Sequence, residues 1–347
     1  MGKKVGIGIV GFGNWPRTAY VPVLRDLDGA EVVAVAARSE RTLSAARETF
    51  GGDLSVYRNY RELLSDPRVD AVIVATPNAL HEEVATAALR AGKHVFVEPP
   101  FGDSADQAFR LLDQADEIRQ TAQPPLVFQG DLELGYIPAL HRVRELMNDG
   151  TLGRPVSVSV KLWCDWGFGG KSASDESARI GLFVWLGPWY LHVLDVLIGH
   201  LPERAQADGV RAMNGDLIDC GWASLAYEDS DGDELIGRFE FNLLAVEGQD
   251  IFVEVVGTRG ESQADLTSGE VRWRTVDTSG WRTDRIAPAE PIVAFAGMRE
   301  CLAGFVRAAA VGGSVLADLA ACRRTHQVAF AAQRAADERV IVELSGA

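Results

Sequence analysis

Cysteine is scarce in this chain: there are four in 347 residues, Cys164, Cys220, Cys301 and Cys322, far apart and without a Cys-x-x-Cys pair. That spacing speaks against a zinc knuckle or a disulfide framework and leaves reduced structural thiols, as in a cytoplasmic protein. Basic residues are also in deficit, 34 Lys and Arg against 49 Asp and Glu, for a formal net charge of −15. Lys3–Lys4 and Arg323–Arg324 are the nearest approach to a basic cluster, so neither nucleic acid nor an anionic membrane surface is an expected partner. No apolar run reaches membrane-spanning length, and the N-terminus reads as a strand rather than a charged-then-apolar leader. The six histidines show no His-Glu-x-x-His spacing, and the chain has no Gly-x-Ser-x-Gly elbow and no Walker-type lysine loop. No metal is expected. Any bound phosphate must be met by backbone amides and a few placed cations.

What is present is organised around the first 24 residues. Val5–Val10 is the Val/Ile-rich run expected of a strand buried on both faces of a parallel sheet. A literal Gly-x-Gly-x-x-Gly occurs at Gly6, Gly8 and Gly11, but it lies inside that strand. The useful register is Gly11, Gly13 and Pro16, in the turn that follows. There Gly11 allows the tight turn, Gly13 lets backbone approach a pyrophosphate, and Pro16 opens the helix. The same glycines would also suit a strand-to-helix turn with no ligand.

A second apolar run, Glu31 to Ala36, falls where β2 of a dinucleotide fold should lie. NAD-binding folds usually end it in a carboxylate that bonds the ribose 2′-hydroxyl. This one ends in Ala37-Arg38-Ser39, the pattern expected for a 2′-phosphate, so NADP(H) is expected ahead of NAD(H). The alternative is a solvated Arg38 opening the helix Glu40–Phe50. Strands and helices then alternate through Val69–Ala75, a helix to Arg90, His94–Val97, Ser104–Gln120, Leu126–Gln129 and Tyr136–Asn148. That grammar means a doubly wound parallel sheet. From Val156 short alternating runs follow with few helices between them, near 204–212, 219–227, 235–243, 251–257 and 270–276, which predicts an antiparallel sheet. One helix, Ile180–Ile198, interrupts early, and Val293–Ala310 and Ala317–Ala336 come late. The expected architecture is a Rossmann domain over 1–125 and an α+β domain over 126–347, the late helices packing back on the first.

At Ala75-Thr-Pro-Asn-Ala-Leu-His81 and Ala91-Gly-Lys-His-Val-Phe-Val-Glu-Pro-Pro100 the chain resembles the Gfo/Idh/MocA oxidoreductases. The glycine turn with Arg17 and Pro22, and Met147–Gly153, fit as well. The resemblance implies that Thr76, Pro77, Asn78 and His81 line the cofactor and that Glu98 lies by the nicotinamide ribose. It also matches Arg38–Ser39 to the NADP-dependent members. The full set of expected cofactor residues is Gly11, Phe12, Gly13, Asn14, Trp15, Arg17, Arg38, Ser39, Thr76, Pro77, Asn78, His81, Glu98 and Pro99.

The departures concern catalysis. The family's lysine sits in Glu-Lys-Pro, whereas this chain has Glu98-Pro99-Pro100, and proline has no proton to give. The family's second signature, an Asp, a His four residues on and an Asp three further on a later helix, aligned on Leu197-Ile198-Gly199, falls at Trp185, Trp189 and His192. These three are spaced i, i+4, i+7 and share one helical face. The stripe reads either as core or as a rebuilt site, with Trp185 and Trp189 as stacking surface and His192 as proton donor or acceptor. Trp163 and Trp166 form a second candidate wall, and Asp165 between them could orient His192 or act simply as a turn residue. Asp175 and Glu176, among Ser172, Ser174 and Ser177, read as solvated; Tyr190 and Asp195 read as structural. The sequence therefore points to an NADP(H)-dependent oxidoreductase transferring hydride to or from a small hydrophobic or aromatic carbonyl or imine, in specialised metabolism. Two alternatives stand: a non-catalytic cofactor-binding regulator, and a lyase or cyclase on the same fold. A homodimer or homotetramer through the open sheet face is expected.

Overall fold

The computed structural model describes residues 4–167, 180–213, 215, 217–228, 231–287 and 296–344. Asp175, Glu176 and the serines around them lie outside these residues. The chain divides into two compact units, Met1–Glu133 with Val293–Arg323 and Leu134–Ile292 with Arg324–Ala347.

In the first unit, strands β1 (Val5–Val10), β2 (Ala30–Ala36), β3 (Ser55–Tyr57), β4 (Ala71–Val74), β5 (His94–Val97) and β6 (Phe128–Gly130) form one sheet in the order β3-β2-β1-β4-β5-β6. All five pairings are parallel. β1 and β4 are buried along their whole length, which is why they read as unbroken apolar runs. The connecting helices are α1 (Val21–Leu24), α2 (Glu40–Phe50), α3 (Tyr60–Leu64), α4 (His81–Arg90) and α5 (Ala105–Thr121). Three of them start on a side-chain cap: Ser39, Asn59 and Ser104 each accept a backbone N–H of the first turn. The chain leaves this unit after Glu133, so β6 stays with its sheet; a division at residue 125 would separate the two.

The second unit opens with α6 (Pro138–Asn148) and β7 (Pro155–Cys164), followed by α7 (Leu182–Trp185) and α8 (Gly187–Ile198). The single helix expected over 180–198 is broken at Leu186 (φ −106°). Pro188 has no N–H to bond the carbonyl of Val184, and its ring crowds that carbonyl, so the helix restarts one residue before it. The chain continues through β8 (Arg204–Val210), β9 (Cys220–Glu228), β10 (Glu234–Asn242), β11 (Gln249–Gly257), β12 (Gly260–Asp265), β13 (Glu270–Thr275) and β14 (Arg282–Arg285). Helix α9 (Met298–Val311) belongs to the first unit, where Phe305 packs on Phe96 at 5.5 Å, and α10 (Leu319–Glu338) leads to β15 (Val342–Glu343). Among the described residues these strands make a nine-stranded sheet, β14-β13-β12-β11-β7-β10-β9-β8-β15. Every pairing is antiparallel except β7–β10.

Alternation sets the two faces of this sheet. Val158, Val160, Leu162 and Cys164 on β7, with Phe239 and Phe241 on β10, are buried on one side. Helices α7 and α8 pack there, with Tyr190 stacked on Phe239 at 5.4 Å and Phe183 edge-on to Phe241 at 5.2 Å. The fold is thus a Rossmann unit and an α+β unit with its main helices on one sheet face.

Candidate functional site

The glycine turn does what local sterics require of it. Gly11 has φ +89°, and a Cβ there would sit 2.2 Å from the carbonyl oxygen of Ala75 at the end of β4. Gly13 is exposed, and a Cβ on it would meet nothing within 4 Å. Phe12 turns inward against Phe50 at 5.9 Å. One wide π-type turn, Pro16–Tyr20, then runs into α1.

Beside this turn lies a cavity of about 640 Å³. Its walls are Val10–Gly13, then Ala36–Ser39 with Thr42, Arg58–Arg61 after β3, and Ala75–Pro77 after β4. Of the expected cofactor residues, Gly11, Phe12, Gly13, Arg38, Ser39, Thr76 and Pro77 line it. Asn14, Trp15, Arg17, Asn78, His81, Glu98 and Pro99 are not among its lining residues. His81 is buried instead, with its Nε2 2.7 Å from the Thr76 carbonyl and its Nδ1 2.8 Å from the Pro100 carbonyl. Burial lowers its pKa, and a neutral imidazole donates to one of these carbonyls. It braces the loop after β4 against the loop after β5. Glu98 donates its N–H to Val74 at 3.1 Å, and Pro99 is buried.

The wall after β2 is cationic. Arg38 is exposed, and Glu40, the first carboxylate beyond it, is held at 2.9 Å by both Arg47 and Arg58. These arginines, Arg47 above all, keep the Glu40 carboxyl below its usual range. Ser39 caps α2 by accepting from the N–H of Thr42 and lies 2.7 Å from the Thr42 hydroxyl. Thr42 and Arg58–Arg61 escaped the sequence reading. Thr42 was legible in principle, since a Ser cap places the residue three positions on beside it. The arginines follow β3, which at three residues gives too short a run to see.

The cavity fits a dinucleotide on its own features: a positive-φ glycine turn, open space in front of Gly13, and a buried Thr76 hydroxyl without a partner among the described residues.

In the second unit the Trp/His stripe is partly assembled. Trp166 and Trp185 meet edge-on with ring centroids 6.3 Å apart. Trp185 and Trp189 are half-buried, on α7 and α8 respectively. His192 is fully buried and packs on Gly135, where a Cβ would lie 2.7 Å from the ring. Its Nδ1 is 3.9 Å from Asp195, a carboxylate gripped by Arg324 at 2.5 and 2.9 Å. Trp163 departs from the expected wall. Being odd in the β7 alternation, it points to the opposite sheet face, 44% exposed, and packs on Phe252 at 5.8 Å. Asp165 follows β7 and donates its N–H to Gly248 at 3.1 Å. Among the described residues no group of three or more His, Cys, Asp or Glu is arranged to hold a metal, and no helix is long and apolar enough to cross a membrane. All four cysteines are free thiols.

A parallel sheet in this strand order, with a glycine turn at its centre, defines a dinucleotide-binding Rossmann unit. Residues 5–124 match the family described as "Oxidoreductase family, NAD-binding Rossmann fold", and residues 140–263 match "GFO/IDH/MocA C-terminal domain". The chain belongs to the Gfo/Idh/MocA oxidoreductase family. An inositol 2-dehydrogenase of Rubrobacter xylanophilus is 26% identical over 271 residues, 78% of this chain and 74% of that protein. The uncharacterized oxidoreductase ORF334 of Rhizobium meliloti is 28% identical over 204 residues, 58% of this chain and 59% of its own length. Among solved structures, GenD2 from gentamicin A biosynthesis, in complex with NAD, is 25% identical with a TM-score of 0.79, covering 100% of this chain and 98% of that one.

Proposed function

We propose that the protein is an NADP(H)-dependent oxidoreductase whose proton-transfer site has been rebuilt for a small hydrophobic or aromatic carbonyl or imine. The observation that carries the cofactor preference is the wall after β2. Where a carboxylate would bond a ribose 2′-hydroxyl there is Arg38, and the next carboxylate, Glu40, is already neutralised by Arg47 and Arg58. Ser39 and Thr42 add hydroxyls at the same corner. A bound nicotinamide supplies the hydride when present. The chain's own part is to position the dinucleotide at the Gly11–Gly13 turn, to hold the Thr76 loop through His81, and to offer apolar surface at Trp166, Trp185 and Trp189. With proline at position 99, no lysine there polarises a carbonyl, so the reading favours substrates that are already electrophilic, such as an iminium or a conjugated carbonyl. Four free thiols accord with the reducing cytoplasm.

The test is titration of the purified protein with NADPH and NADH. NADPH should bind at least tenfold more tightly, and Arg38→Ala should erase most of the difference, because a guanidinium–phosphate pair is a strong charge-assisted contact. Equal affinities in the unmutated protein would remove the assignment of Arg38.

A second reading rests on the complete burial of His192. If no substrate reaches that ring, the stripe is core and the protein binds cofactor without turnover. Nicotinamide absorbance changes with candidate imines and enones separate the two.

We also propose self-association through the outer face of the nine-stranded sheet, which exposes Trp163, Trp222, Ile236 and Val256 beside the Lys161–Glu254 pair.

A further inference from the structure

Asp131, immediately after β6, is fully buried in the first unit. Tyr20 donates its hydroxyl to Oδ2 at 2.7 Å, and the Trp15 indole N–H donates to the same oxygen at 3.3 Å and to the Tyr20 oxygen at 2.9 Å. Oδ1 has no hydrogen-bond partner among the described residues. No cation among the described residues pairs with this carboxyl.

The groups around it are acidic or neutral from every side. Burial first, then Asp131 itself and Glu98, the residue after β5, raise the pKa of Tyr20. Cys301 on α9 is pushed well up by burial, then by Asp131 and Glu133, and receives the Gln129 amide at 3.1 Å. Burial moves the Asp131 carboxyl up to about 7, with the Tyr20 and Trp15 hydrogen bonds opposing the rise. Both anchors belong to the cofactor turn: Trp15 stands two residues after Gly13, and Tyr20 ends the π-type turn that follows.

We propose that Asp131 is a positioning residue for the dinucleotide: it holds the glycine turn through Trp15 and Tyr20, and it takes up a proton when an anionic cofactor occupies that turn. The inference rests on the reading of the cavity as a dinucleotide site. Its physical basis is that a pyrophosphate brought to the turn adds negative charge near a buried carboxyl with no cation beside it. The protonated form is then favoured, and by linkage affinity falls as pH rises through the carboxyl's titration. An acid alone in that setting keeps the cofactor turn in place while remaining uncharged.

The experiment is NADH titration of the full chain from pH 5.5 to 8.5, with proton uptake measured calorimetrically in two buffers of different ionisation enthalpy. NADH is the probe because a 2′-phosphate titrates in the same range. The unmutated protein should lose about tenfold in affinity across this range, the equivalent of one unit of carboxyl pKa shift, and should take up a fraction of a proton at pH 7. Asp131→Asn keeps an acceptor for Tyr20 and Trp15 but cannot titrate, so its affinity should stay flat and close to the low-pH limit. Tyr20→Phe removes a hydrogen bond that lowers the carboxyl's pKa, so the midpoint should move upward; this variant decides the matter should the first fail to fold. A flat profile in the unmutated protein, or an unchanged slope in Asp131→Asn, overturns the proposal while leaving the cofactor site standing. Absence of dinucleotide binding at every pH overturns both.

Discussion

Substituting alanine at Gly11 and at Gly13, two positions apart in one turn, should separate what the fold demands from what a ligand demands. At Gly11 the new residue must hold φ +89°, which costs an L-amino acid about 1–2 kcal/mol. Its Cβ would also lie 2.2 Å from the Ala75 carbonyl oxygen and 2.6 Å from its carbon. That backbone cannot yield easily, because the N–H of Ala75 bonds Val10 at 2.9 Å and the N–H of Gly11 bonds Ala36 at 2.9 Å. Displacing it adds about 1–3 kcal/mol, as overpacking of a close-packed site generally does. The sum, roughly 2–5 kcal/mol, is a large part of a typical domain's stability and corresponds to a melting temperature lower by roughly 5–15 °C. Gly13 has no positive φ and open space around its Cβ position, so Gly13→Ala should melt within about 0.5 kcal/mol of the parent. Its cost should fall on binding. A methyl group in the space that backbone leaves open for a pyrophosphate should remove one or two amide contacts, about 1.5–3 kcal/mol, or roughly 10–100-fold in dinucleotide affinity. Thermal unfolding by circular dichroism and fluorescence titration with NADPH measure the two effects separately. Should Gly13→Ala bind NADPH as tightly as the parent, the turn is a plain connection and the ligand argument fails. A parent-like melt for Gly11→Ala would refute the steric one.

In the ligand-free protein, Asp131 holds its proton up to about pH 7, whereas an unfolded Asp releases it near pH 4. The folded state therefore binds the extra proton between these values, and stability falls as pH rises through that window, by at most about 1.4 kcal/mol per unit. Urea unfolding at pH 5, 6 and 7 should show that slope reduced in Asp131→Asn; equal slopes would contradict it. Trp189→Ala should raise the KM for the native substrate more than it lowers kcat, while His192→Ala should cut kcat by about 10²–10⁴-fold with cofactor affinity kept. If both variants instead unfold the protein and abolish cofactor binding, the stripe is core. Trp163→Glu, on the outer sheet face, should yield a monomer by light scattering where the parent associates; a parent that is already monomeric at micromolar concentration removes that interface.

The Rossmann half was legible in the sequence because its information is local. Strands buried on both faces must be apolar along their length, as Val5–Val10 and Ala71–Val74 are, and the tight turn needs glycine at position 11 whatever else the chain does. Arg38 and Ser39 could be placed for the same reason, two and three residues beyond the end of β2. Strands with little apolar content stayed hidden: β14 reads Arg-Thr-Asp-Arg, and its place at the edge of the sheet asks for no buried side chain. The face of Trp163 was written in the alternation of Val158, Val160, Leu162 and Cys164, yet an aromatic next to Trp166 suggests a shared wall until the register is known. Tertiary structure alone decided that His192 is buried against Gly135, and that Arg324 grips Asp195 from 129 positions away. It alone also joined Tyr20 to Asp131 across 111 positions. No period or motif links such distant side chains: β4 and β5 stand between β1 and β6 in the sheet, and the turn after β1 reaches the end of β6 through Tyr20, which packs on Phe96 of β5 at 5.8 Å; burial there, rather than the identity of the aspartate, makes it an acid that titrates near neutral pH.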